Sequence, residues 1–574
     1  MKERATPRLN LVLCWHMHQP WYRESQEGEF CLPWVYLHAL KDYVDMAAHL
    51  EAHPKMRCVV NFTPVLLEQL DDYAAQFKRH LDTGTRFSDP LLNLLAGIDP
   101  IPAEAERRAD IVRACRRANA STMIDVYPAF RSLFGMVMSL DGKTVDAKRL
   151  AYMNEQYFLD LLSWYHLTWL GHSLKRLPHV KSLLEHDGVF DEYTRHALLE
   201  VMCDAFDGLL GRYAELAQRG QIELSMTPYG HPIVPLLIDL GSMNCALPEA
   251  KGPIGAYYPD GLERARWHIT SGLETFEKFL GCRPRGVWLS EGGVSVDALK
   301  LLDEFGFTWS ASGEGVWSNS RFLSGLESHG EEARRSLFCA HDVDECATRM
   351  FFRDDGLSDM IGFEYQQWNA SDAAADFNQH LGNIARYLGD NCSEHVVSVI
   401  LDGENAWEYY PDNAFHFLGA LYEQMVKSDC VHAITFSDAL DTCPPQKLPT
   451  LCPGSWVYGS FSTWIGDADK NRAWDLLIEA KKTYDRITEE KRLPPEKAGK
   501  LARQLAICEG SDWFWWFGDY NPADSVSDFD RLYRQQLRNL YEMLGEKAPP
   551  SLDRPISSGG GKAENSGTMR RGHE

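Results

Sequence analysis

Short apolar runs that alternate with long helical stretches are the feature that most restricts the fold of this chain. Several runs are apolar at consecutive positions rather than at alternate ones, which is typical of parallel strands covered on both faces. Alternation of such strands with helices along most of the chain predicts a β/α barrel or a related open α/β sheet. The clearest predicted strands are Leu9–Trp15, Arg57–Phe62, Gln221–Met226, Arg285–Ser290, Thr348–Phe352, Val396–Leu401 and Val431–Phe436.

The segments between and after these strands predict how the chain is divided. A chain of 574 residues is too long for one ordinary core, and we expect a catalytic barrel at residues 1–440. The stretch at about 64–220 has helical periodicity and is too long for a simple βα connection, so we expect a helical insertion there. Pro and Cys cluster in CPPQKLPTLCPG, after which amphipathic segments predict a C-terminal helical domain at residues 441–548. Residues 549–574 are rich in Ser, Gly and charge and are predicted to form a disordered tail.

The acidic composition narrows the classes of partner. The formal net charge of -24 repels nucleic acid and anionic membranes, so we expect neither as a partner.

The apolar run near the N-terminus is too short for a signal peptide or a membrane span, which favours a cytoplasmic location. The 14 cysteines are scattered without a C-x-x-C pair, which favours reduced thiols and argues against a structural zinc site.

Polar and titratable side chains follow four of the predicted strands. His16 and His18 come after the first, His231 after the third, Glu291 after the fourth and Asp402 after the sixth. In β/α barrels the reacting residues lie just past the carboxyl ends of strands, where they converge on one face. Further candidates in the same segments are Gln19, Glu404 and Trp407.

Each of these residues also has a structural interpretation. His16 and His18 share a strand face and could be metal ligands, core histidines or hydrogen-bond donors to a sugar. Glu291 could interact with the N-terminus of the helix predicted after it. Asp402 and Glu404 could be a solvated charge cluster, but the end of a buried strand is a poor place for carboxylates without a function.

Two carboxylates, several histidine donors and many aromatic rings suit cleavage of a glycosidic bond. One carboxylate attacks the anomeric carbon or activates water, and the other gives a proton to the leaving oxygen. Acidic neighbours raise the pKa of a carboxyl group, so Glu404 could help to keep a proton on Asp402 at neutral pH.

The order of these motifs resembles glycoside hydrolase family 57, the group of α-amylases, amylopullulanases and 4-α-glucanotransferases. The matching blocks are WHMHQPWY, GQIELSMTPYGHPIVPLL, GVWLSEGGVS and LDGENAWE, in the family's order. Further along the chain, GSWVYGSFSTWIGDADKNRAW and EGSDWFWWFGD are similar to the helical C-terminal region of amylopullulanase-type members. One departure is Leu289-Ser290, where many amylase-like members have Pro-Ala or Pro-Ser, and this leaves the subfamily open.

The resemblance implies an incomplete (β/α)7 barrel with C-terminal helices, and a retaining mechanism that needs neither a metal nor another cofactor. Glu291 then corresponds to the nucleophile and Asp402 to the general acid/base. A retaining mechanism would place their carboxyl groups roughly 5–6 Å apart. The remaining matches would bind substrate. His16, His18 and Gln19 would line the −1 subsite, and His231 would hold a sugar hydroxyl. Glu404 and Trp407 would lie beside the acid, Asp512 and Trp513 would come from the last block, and Trp288 would lie near the nucleophile, where it could serve packing alone.

Several functions remain open on the sequence. The expected substrate is an α-glucan such as glycogen, starch or maltodextrin, and hydrolysis and glucanotransferase or branching-type transfer would use the same intermediate. A metal-dependent sugar deacetylase or mannosidase on a related barrel would need an Asp and two His as ligands. A glucan-binding protein without activity should have lost Glu291 or Asp402, and this chain retains both. The sequence does not indicate an oligomeric state.

Overall fold

A single twisted sheet forms the centre of the molecule. The computed structural model describes residues 7–139, 144–186, 188–490 and 493–572. The strands are β1 (Leu9–Met17), β2 (Cys58–Phe62), β3 (Ile222–Met226), β4 (Gly286–Val287), β5 (Trp309–Ser312), β6 (His341–Val343), β7 (Arg349–Phe352), β8 (Val396–Asp402), β9 (Val431–Ala433) and β10 (Gln446–Leu448).

Seven of these strands form a nearly closed parallel barrel. They lie in the order β7-β5-β4-β3-β2-β1-β8, and every neighbouring pair is parallel. An isolated parallel bridge between Arg353, just past β7, and Ser398 of β8 joins the two ends of this series. The short strand β6 is antiparallel to β7, β10 pairs with β6, and β9 pairs with the start of β1. The expected incomplete (β/α)7 barrel is confirmed.

The register of the central strands brings polar side chains to one edge. His16 of β1 pairs with Asn61 of β2 on one side and with Asp402 of β8 on the other. Asn61 in turn pairs with Ser225 of β3. Paired residues of neighbouring strands project to the same face, so this register alone brings His16, Asn61 and Asp402 together.

Helices cover the barrel, and many of them lie between β2 and β3. Helices α1 (Trp34–His38) and α2 (Val44–Ala52) follow β1. The interval after β2 contains α3 (Pro64–Thr83), α4 (Pro90–Leu95), α5 (Ala105–Cys115), α6 (Pro128–Val137), α7 (Ala147–Leu150), α8 (Glu155–Thr168), α9 (His172–Lys175), α10 (Pro178–Leu184), α11 (Glu192–Phe206) and α12 (Leu209–Gln218). Four residues of this interval, 140–143, and residue 187 lie outside the described part of the chain.

The later helices connect the remaining strands and then form a C-terminal group. Those among the strands are α13 (Val234–Ile238), α14 (Gly261–Leu280), α15 (Val296–Glu304), α16 (Glu314–Leu323), α17 (Glu331–Leu337), α18 (Asp355–Asp359), α19 (Ala370–Leu388), α20 (Phe415–Lys427) and α21 (Phe436–Thr442). The C-terminal group is α22 (Ala468–Glu490), α23 (Pro495–Cys508), α24 (Asp512–Trp516) and α25 (Ala523–Leu544). No helix within the described residues is long and apolar enough to cross a membrane. The division into a catalytic and a helical domain stays a prediction.

Residues 549–572 differ from the disordered tail that their composition favoured. Leu552 and Ile556 are buried, and the indole N–H of Trp515 donates to the carbonyl of Gly567 over 2.8 Å. The segment contains few apolar residues, but those it has are covered by surfaces formed from distant parts of the chain. A composition average does not detect such contacts, because it counts residues without their partners.

Candidate active site

The carboxyl ends of five barrel strands meet around a cluster of histidines. The imidazole Nδ1 of His16 lies 2.6 Å from Asn61 Oδ1, and its Nε2 lies 3.2 Å from Nε2 of His231. Nδ1 of His231 is in turn 2.8 Å from the hydroxyl of Ser511. Burial lowers the pKa of His16 to about 3 and that of His231 well below its usual value. Both rings are therefore neutral, and each donates from one nitrogen while it accepts at the other.

His18 connects the barrel to the C-terminal helices. Its Nε2 lies 2.9 and 3.0 Å from the two carboxylate oxygens of Asp512, the first residue of α24. Its Nδ1 lies 3.0 Å from the hydroxyl of Thr63. The ring stacks on that of His231 with centroids 3.7 Å apart. Asp512 thus enters the cluster from a segment that is almost 500 residues away in the sequence.

Glu291 occupies a strained turn directly after β4. Its φ of 60° and ψ of 23° are left-handed, a conformation that is uncommon for a residue with a side chain. The indole N–H of Trp456 donates to Glu291 Oε2 over 3.1 Å, and the Ser511 hydroxyl lies 3.4 Å from Oε1. Burial, the charge of Asp512 and the charge of Asp402 together raise the pKa of Glu291 to about 8.

Asp402 is the last residue of β8 and lies on the other side of His16. The amide of Asn405 donates to its Oδ2 over 2.9 Å. Burial raises the pKa of Asp402 to about 6, against the hydrogen bond from Asn405 and the positive charge of Arg353. The carboxylate that adds to this increase is Asp512 rather than Glu404, the neighbour that the sequence suggested. We name Glu291, Asp402, His18, His231 and Asp512 the cleft cluster.

Glu404 lies beneath the cleft rather than in it. Only 1% of the residue is exposed, and its Oε1 accepts the backbone N–H of His18 over 3.0 Å. The side-chain amide of Gln19 donates to the same oxygen over 3.4 Å, and Gln19 Oε1 accepts the hydroxyl of Tyr22 over 2.8 Å. Burial and the charge of Asp402 raise the pKa of Glu404 well above its usual value. Glu404 and Gln19 therefore hold the segment after β1 in place instead of meeting a sugar.

Three tryptophans with an expected contact to substrate are buried in the core. Trp288, Trp407 and Trp513 are at most 1% exposed. Trp407 packs edge-on against Trp15 at 5.6 Å, and Trp513 stacks on Tyr533 at 5.7 Å. Their rings support the residues around them and have no face open to a sugar, so we correct the expectation for Trp407 and Trp513, whereas packing had been left open for Trp288. Trp288 packs edge-on against Trp456 at 5.2 Å, in line with the packing role that was its alternative.

A buried ionic cluster supports the back of the histidine cluster. The carboxylate of Glu509 accepts hydrogen bonds from Arg264 (2.7–3.2 Å), His268 (2.8 Å) and Tyr258 (2.6 Å). Nδ1 of His268 accepts the backbone N–H of Gly230, the residue before His231, over 3.2 Å. We name Glu509, Arg264, His268 and Tyr258 the Glu509 cluster. It joins α14 and the end of α23 to the turn that carries His231.

Gly230 is required by the close approach of these two segments. A Cβ atom at this position would lie 2.7 Å from the carbonyl oxygen of Ala506 and 3.1 Å from the His268 ring. The backbone N–H of Ser511 also donates to the carbonyl of His231 over 2.9 Å. The backbones of the barrel turn and the C-terminal helices are thus in direct contact where His231 is positioned.

Some residues of the site were not recognised in the sequence. Asn61 was detectable as a polar residue within a buried strand, and Ser511 as the neighbour of Asp512. Trp456 lies in the segment GSWVYGSFSTWIGDADKNRAW quoted above, but nothing in that segment indicates that its indole reaches Glu291, 165 residues away.

One group of side chains among the described residues could hold a metal ion. Ligand atoms of His18, His231 and Asp512 all lie within 4.8 Å of one another. In this structure the same atoms contact one another or Ser511, so a metal would have to displace hydrogen bonds that are already formed. The expectation that the site works without a metal stays a prediction.

Comparison with known proteins supplies the family. The model of glycosyl hydrolase family 57 matches residues 12–452, which include all four strand-end motifs. The chain belongs to glycosyl hydrolase family 57. The expected resemblance is therefore confirmed, and the protein is a glycoside hydrolase by family. No curated protein shows significant sequence similarity to it.

Solved structures of two family 57 branching enzymes and of an α-amylase share the fold. A branching enzyme from the archaeon Thermococcus kodakaraensis has a TM-score of 0.56 at 17% identity, over 93% of this chain and 90% of that chain. A branching enzyme from Pyrococcus horikoshii has a TM-score of 0.56 at 16% identity, over 98% and 99%. The α-amylase AmyC from Thermotoga maritima has a TM-score of 0.54 at 14% identity, over 94% and 97%. At these identities the likeness concerns the fold, which this family 57 protein shares along nearly its whole length.

Proposed function

We propose that this family 57 protein cleaves α-linked glucan with retention of configuration, and that Glu291 and Asp402 are the reacting carboxylates. The observation that carries the proposal is the coupling of these two side chains. Both lie at the carboxyl ends of barrel strands, both have a raised pKa, and the charge of Asp402 raises the pKa of Glu291. Perturbed carboxyl pairs at the mouth of a barrel are typical of acid/base catalysis. The glucan substrate is supported by the family and by its branching enzymes and amylase.

The first step would transfer one glucosyl group to the protein. Asp402 gives its proton to the glycosidic oxygen while Glu291 attacks the anomeric carbon from the opposite face. The bond to the leaving sugar breaks, and a glucosyl ester forms on Glu291. His18 and the neighbouring Asp512 have the partial exposure needed to hold hydroxyl groups of the same glucose, with 10% and 14% of their side chains exposed.

The second step would reverse the geometry of the first. Asp402, now ionised, takes a proton from the incoming hydroxyl group, whose oxygen attacks the anomeric carbon. Glu291 leaves as a carboxylate, and the product regains the α configuration. Water as acceptor gives hydrolysis, and a second sugar gives transfer. We propose hydrolysis of the amylase or amylopullulanase type as the main reaction, with transfer as the alternative that the same intermediate allows.

The protons in the cleft are sufficient for this chemistry. The pKa values of about 6 and about 8 mean that Asp402 and Glu291 together hold one proton between these pH values. In the resting site this proton lies mostly on Glu291, whereas the proposed reaction needs it on Asp402. The two carboxyl groups titrate as a pair, and the hydrogen bond from Trp456 stabilises the ionised form of Glu291 that attacks. The pKa order by itself would suit the opposite roles, which experiment can distinguish.

A product assay with maltoheptaose tests the proposal. Wild type is compared with Glu291→Gln, Asp402→Asn and the control Asp89→Asn. Asp89 is also a buried aspartate with a pKa near 6, but it caps α4 through Leu91 and Leu92, a role that Asn fills equally well. We expect wild type and the control to release shorter sugars and both site variants to lose at least about a thousandfold in rate. Sugars longer than the substrate would identify transfer, and a fully active Glu291→Gln would contradict the site.

Location and substrate source are further proposals. We propose a cytoplasmic enzyme that acts on glycogen or maltodextrin rather than on external starch. Fractionation of cells that produce the protein, with activity measured in each fraction, tests this location.

A further inference from the structure

Two cysteines from different parts of the chain are in contact with each other. Sγ of Cys452 lies 3.7 Å from Sγ of Cys245, although 207 positions separate them. Cys245 is exposed, whereas Cys452 is 1% exposed. Reagents in solution can therefore reach the thiol of Cys245 but not that of Cys452.

The segment around Cys452 is attached to Glu291. Gly454 forms two backbone hydrogen bonds with Val294, of 2.9 and 3.2 Å. The backbone N–H of Trp456 donates to the carbonyl of Glu291 over 3.0 Å, in addition to the indole contact with its carboxylate. Movement of residues 452–456 would therefore move the hydrogen-bond donor of Glu291.

The segment around Cys245 follows the turn that carries His231. Cys245 ends a short 3-10 helix, Leu240–Cys245, that follows α13. Helix α13 begins at Val234, three residues after His231. A covalent bond between the two sulfur atoms would thus join the segment after β3 to the segment that holds Glu291.

We propose that Cys245 and Cys452 form a reversible disulfide by exchange with a low-molecular-weight disulfide such as oxidised glutathione. The exposed Cys245 attacks first, forms a mixed disulfide and releases one reduced glutathione. The Cys452 sulfur then attacks the sulfur of Cys245, and its proton goes to the departing second glutathione. Two protein thiols are oxidised to one disulfide while one glutathione disulfide is reduced to two thiols.

The burial of the second thiol decides the order of these steps. Burial and the neighbouring Cys245 raise the pKa of Cys452 to about 12, which keeps it protonated and unreactive towards reagents in solution. Only a partner that is already in contact can be attacked at a useful rate. Cys14 and Cys58, which lie on the neighbouring strands β1 and β2, are both completely buried and offer no first step.

The test uses the whole protein, treated with oxidised glutathione and then alkylated under denaturing conditions. Mass spectrometry should show a fall from fourteen alkylated cysteines to twelve, with the peptides of Cys245 and Cys452 joined, and dithiothreitol should restore all fourteen. Cys203→Ser, which removes a partly exposed cysteine outside the pair, should form the same cross-link. Cys245→Ser and Cys452→Ala should not form it.

Amide hydrogen exchange provides a second measurement. In oxidised wild type, exchange at residues 452–458 should be slower than in the reduced protein, and the same treatment should leave Cys245→Ser unchanged. A stable mixed disulfide on Cys245 with Cys452 still open to alkylation would overturn the proposal, as would fourteen free thiols after treatment. Neither measurement depends on catalysis, so its outcome is independent of the function proposed above.

Discussion

The cleft cluster and the Glu509 cluster both bury carboxylates next to the turn that carries His231, but they shift the pKa in opposite directions. In the cleft, the pKa of Glu291 is raised to about 8 and that of Asp402 to about 6. In the Glu509 cluster, burial would also raise the pKa, but Arg264 and His268 reverse this effect and lower it to about 2. Burial is common to the two sites, so the cationic partner determines the sign.

Arg353 does not act on Asp402 as Arg264 acts on Glu509. Its positive charge lowers the pKa of Asp402, but its guanidinium already binds Asp355 at 2.6 Å and Asp359 at 2.7 Å. These two carboxylates therefore balance most of the positive charge of Arg353, which leaves little of it to stabilise an ionised carboxylate in the cleft. The two clusters show how one chain can use a buried carboxylate for stability in one place and keep another carboxylate ready to accept a proton in a second place.

The two clusters should also differ in their effect on stability against pH. A carboxyl group with a lowered pKa stabilises the fold above its unfolded pKa, and this stabilisation is lost as the pH falls towards the folded value. Glu509 should therefore stabilise the protein at neutral pH and cease to do so between about pH 4.5 and 2. A raised pKa has the opposite effect, so Glu291 should reduce stability as the pH rises from about 4.5 to 8.

Removal of the Glu509 charge should have the largest effect on stability. Glu509→Gln leaves the charge of Arg264 buried without a counterion, and we expect the free energy of unfolding at pH 7 to fall by about 3–5 kcal/mol. Urea unfolding measures this, with Glu496→Gln, at an exposed position in the first turn of α23, as the control. A loss below about 1 kcal/mol would show that the Glu509 cluster is not the ionic support described here.

Removal of the Glu291 charge should have the opposite sign. Glu291→Gln should abolish activity if the proposed site is right, but it removes a carboxylate that is costly to ionise, so we expect a gain of up to about 4 kcal/mol at pH 8. The gain should disappear near pH 4, where wild-type Glu291 is protonated. Urea unfolding of both proteins at the two pH values tests this. If the variant is less stable than wild type at pH 8, the two clusters do not affect stability with opposite signs and the comparison fails.

Two substitutions of His268 should separate positioning from stability. Asn can place its amide oxygen where Nδ1 accepts the Gly230 N–H, whereas Gln can place its amide nitrogen where Nε2 donates to Glu509. If the contact with Gly230 positions His231, kcat should be about five- to tenfold lower in His268→Gln than in His268→Asn, which is about 1 kcal/mol. His166→Asn, a buried histidine that contacts Tyr36, is the control and should leave kcat unchanged. Equal kcat values for both His268 variants would assign the residue to stability alone.

The smallest expected effect is a change in the pH profile. The rate should have a bell-shaped dependence on pH, with an acidic limb near pH 6 and an alkaline limb near pH 8. The reason is that Glu291 and Asp402 must together hold one proton for the reaction. Trp456→Phe removes the hydrogen bond that favours ionised Glu291, so the alkaline limb should move upward by less than about one pH unit. Trp368→Phe, a substitution at a half-exposed tryptophan outside the cleft cluster, should leave both limbs in place. A limb that moves downward would contradict the role of the indole.

The sequence predicted the barrel because its longest strands are its most apolar ones. Strand β1 is buried at all nine positions and β8 at six of seven, and both were evident as continuous apolar runs. Strand β5, with the sequence WSAS, and the three-residue strands β6 and β10 were missed, because their pairing depends on neighbours rather than on their own residues. The predicted strand Arg285–Ser290 is limited to Gly286–Val287, after which the chain turns to place Glu291.

The candidate site was predictable only as far as local sequence determines it. His16, His18, His231, Glu291 and Asp402 follow strands, and parallel strands bring such residues together. The raised pKa of Asp402 was expected, but from Glu404 rather than from burial and Asp512. The lowered pKa of Glu509 was not predictable, because it depends on its contact with Arg264, 245 residues away. The burial of Trp407 and Trp513 was missed for the same reason: a motif gives the residue type but not its surroundings.

The most direct test of the central claim is the configuration of the azides formed by two variants from α-maltosyl fluoride. Fluoride leaves without help from an acid, so both variants can react when azide is added. If Glu291 is the nucleophile, Glu291→Gly leaves space on the β face and should form β-maltosyl azide. Asp402→Gly should still form the ester on Glu291, which azide opens from the α face to give α-maltosyl azide. The reverse pattern would show that Asp402 is the nucleophile, and the absence of azide products from both variants would contradict the proposed pair.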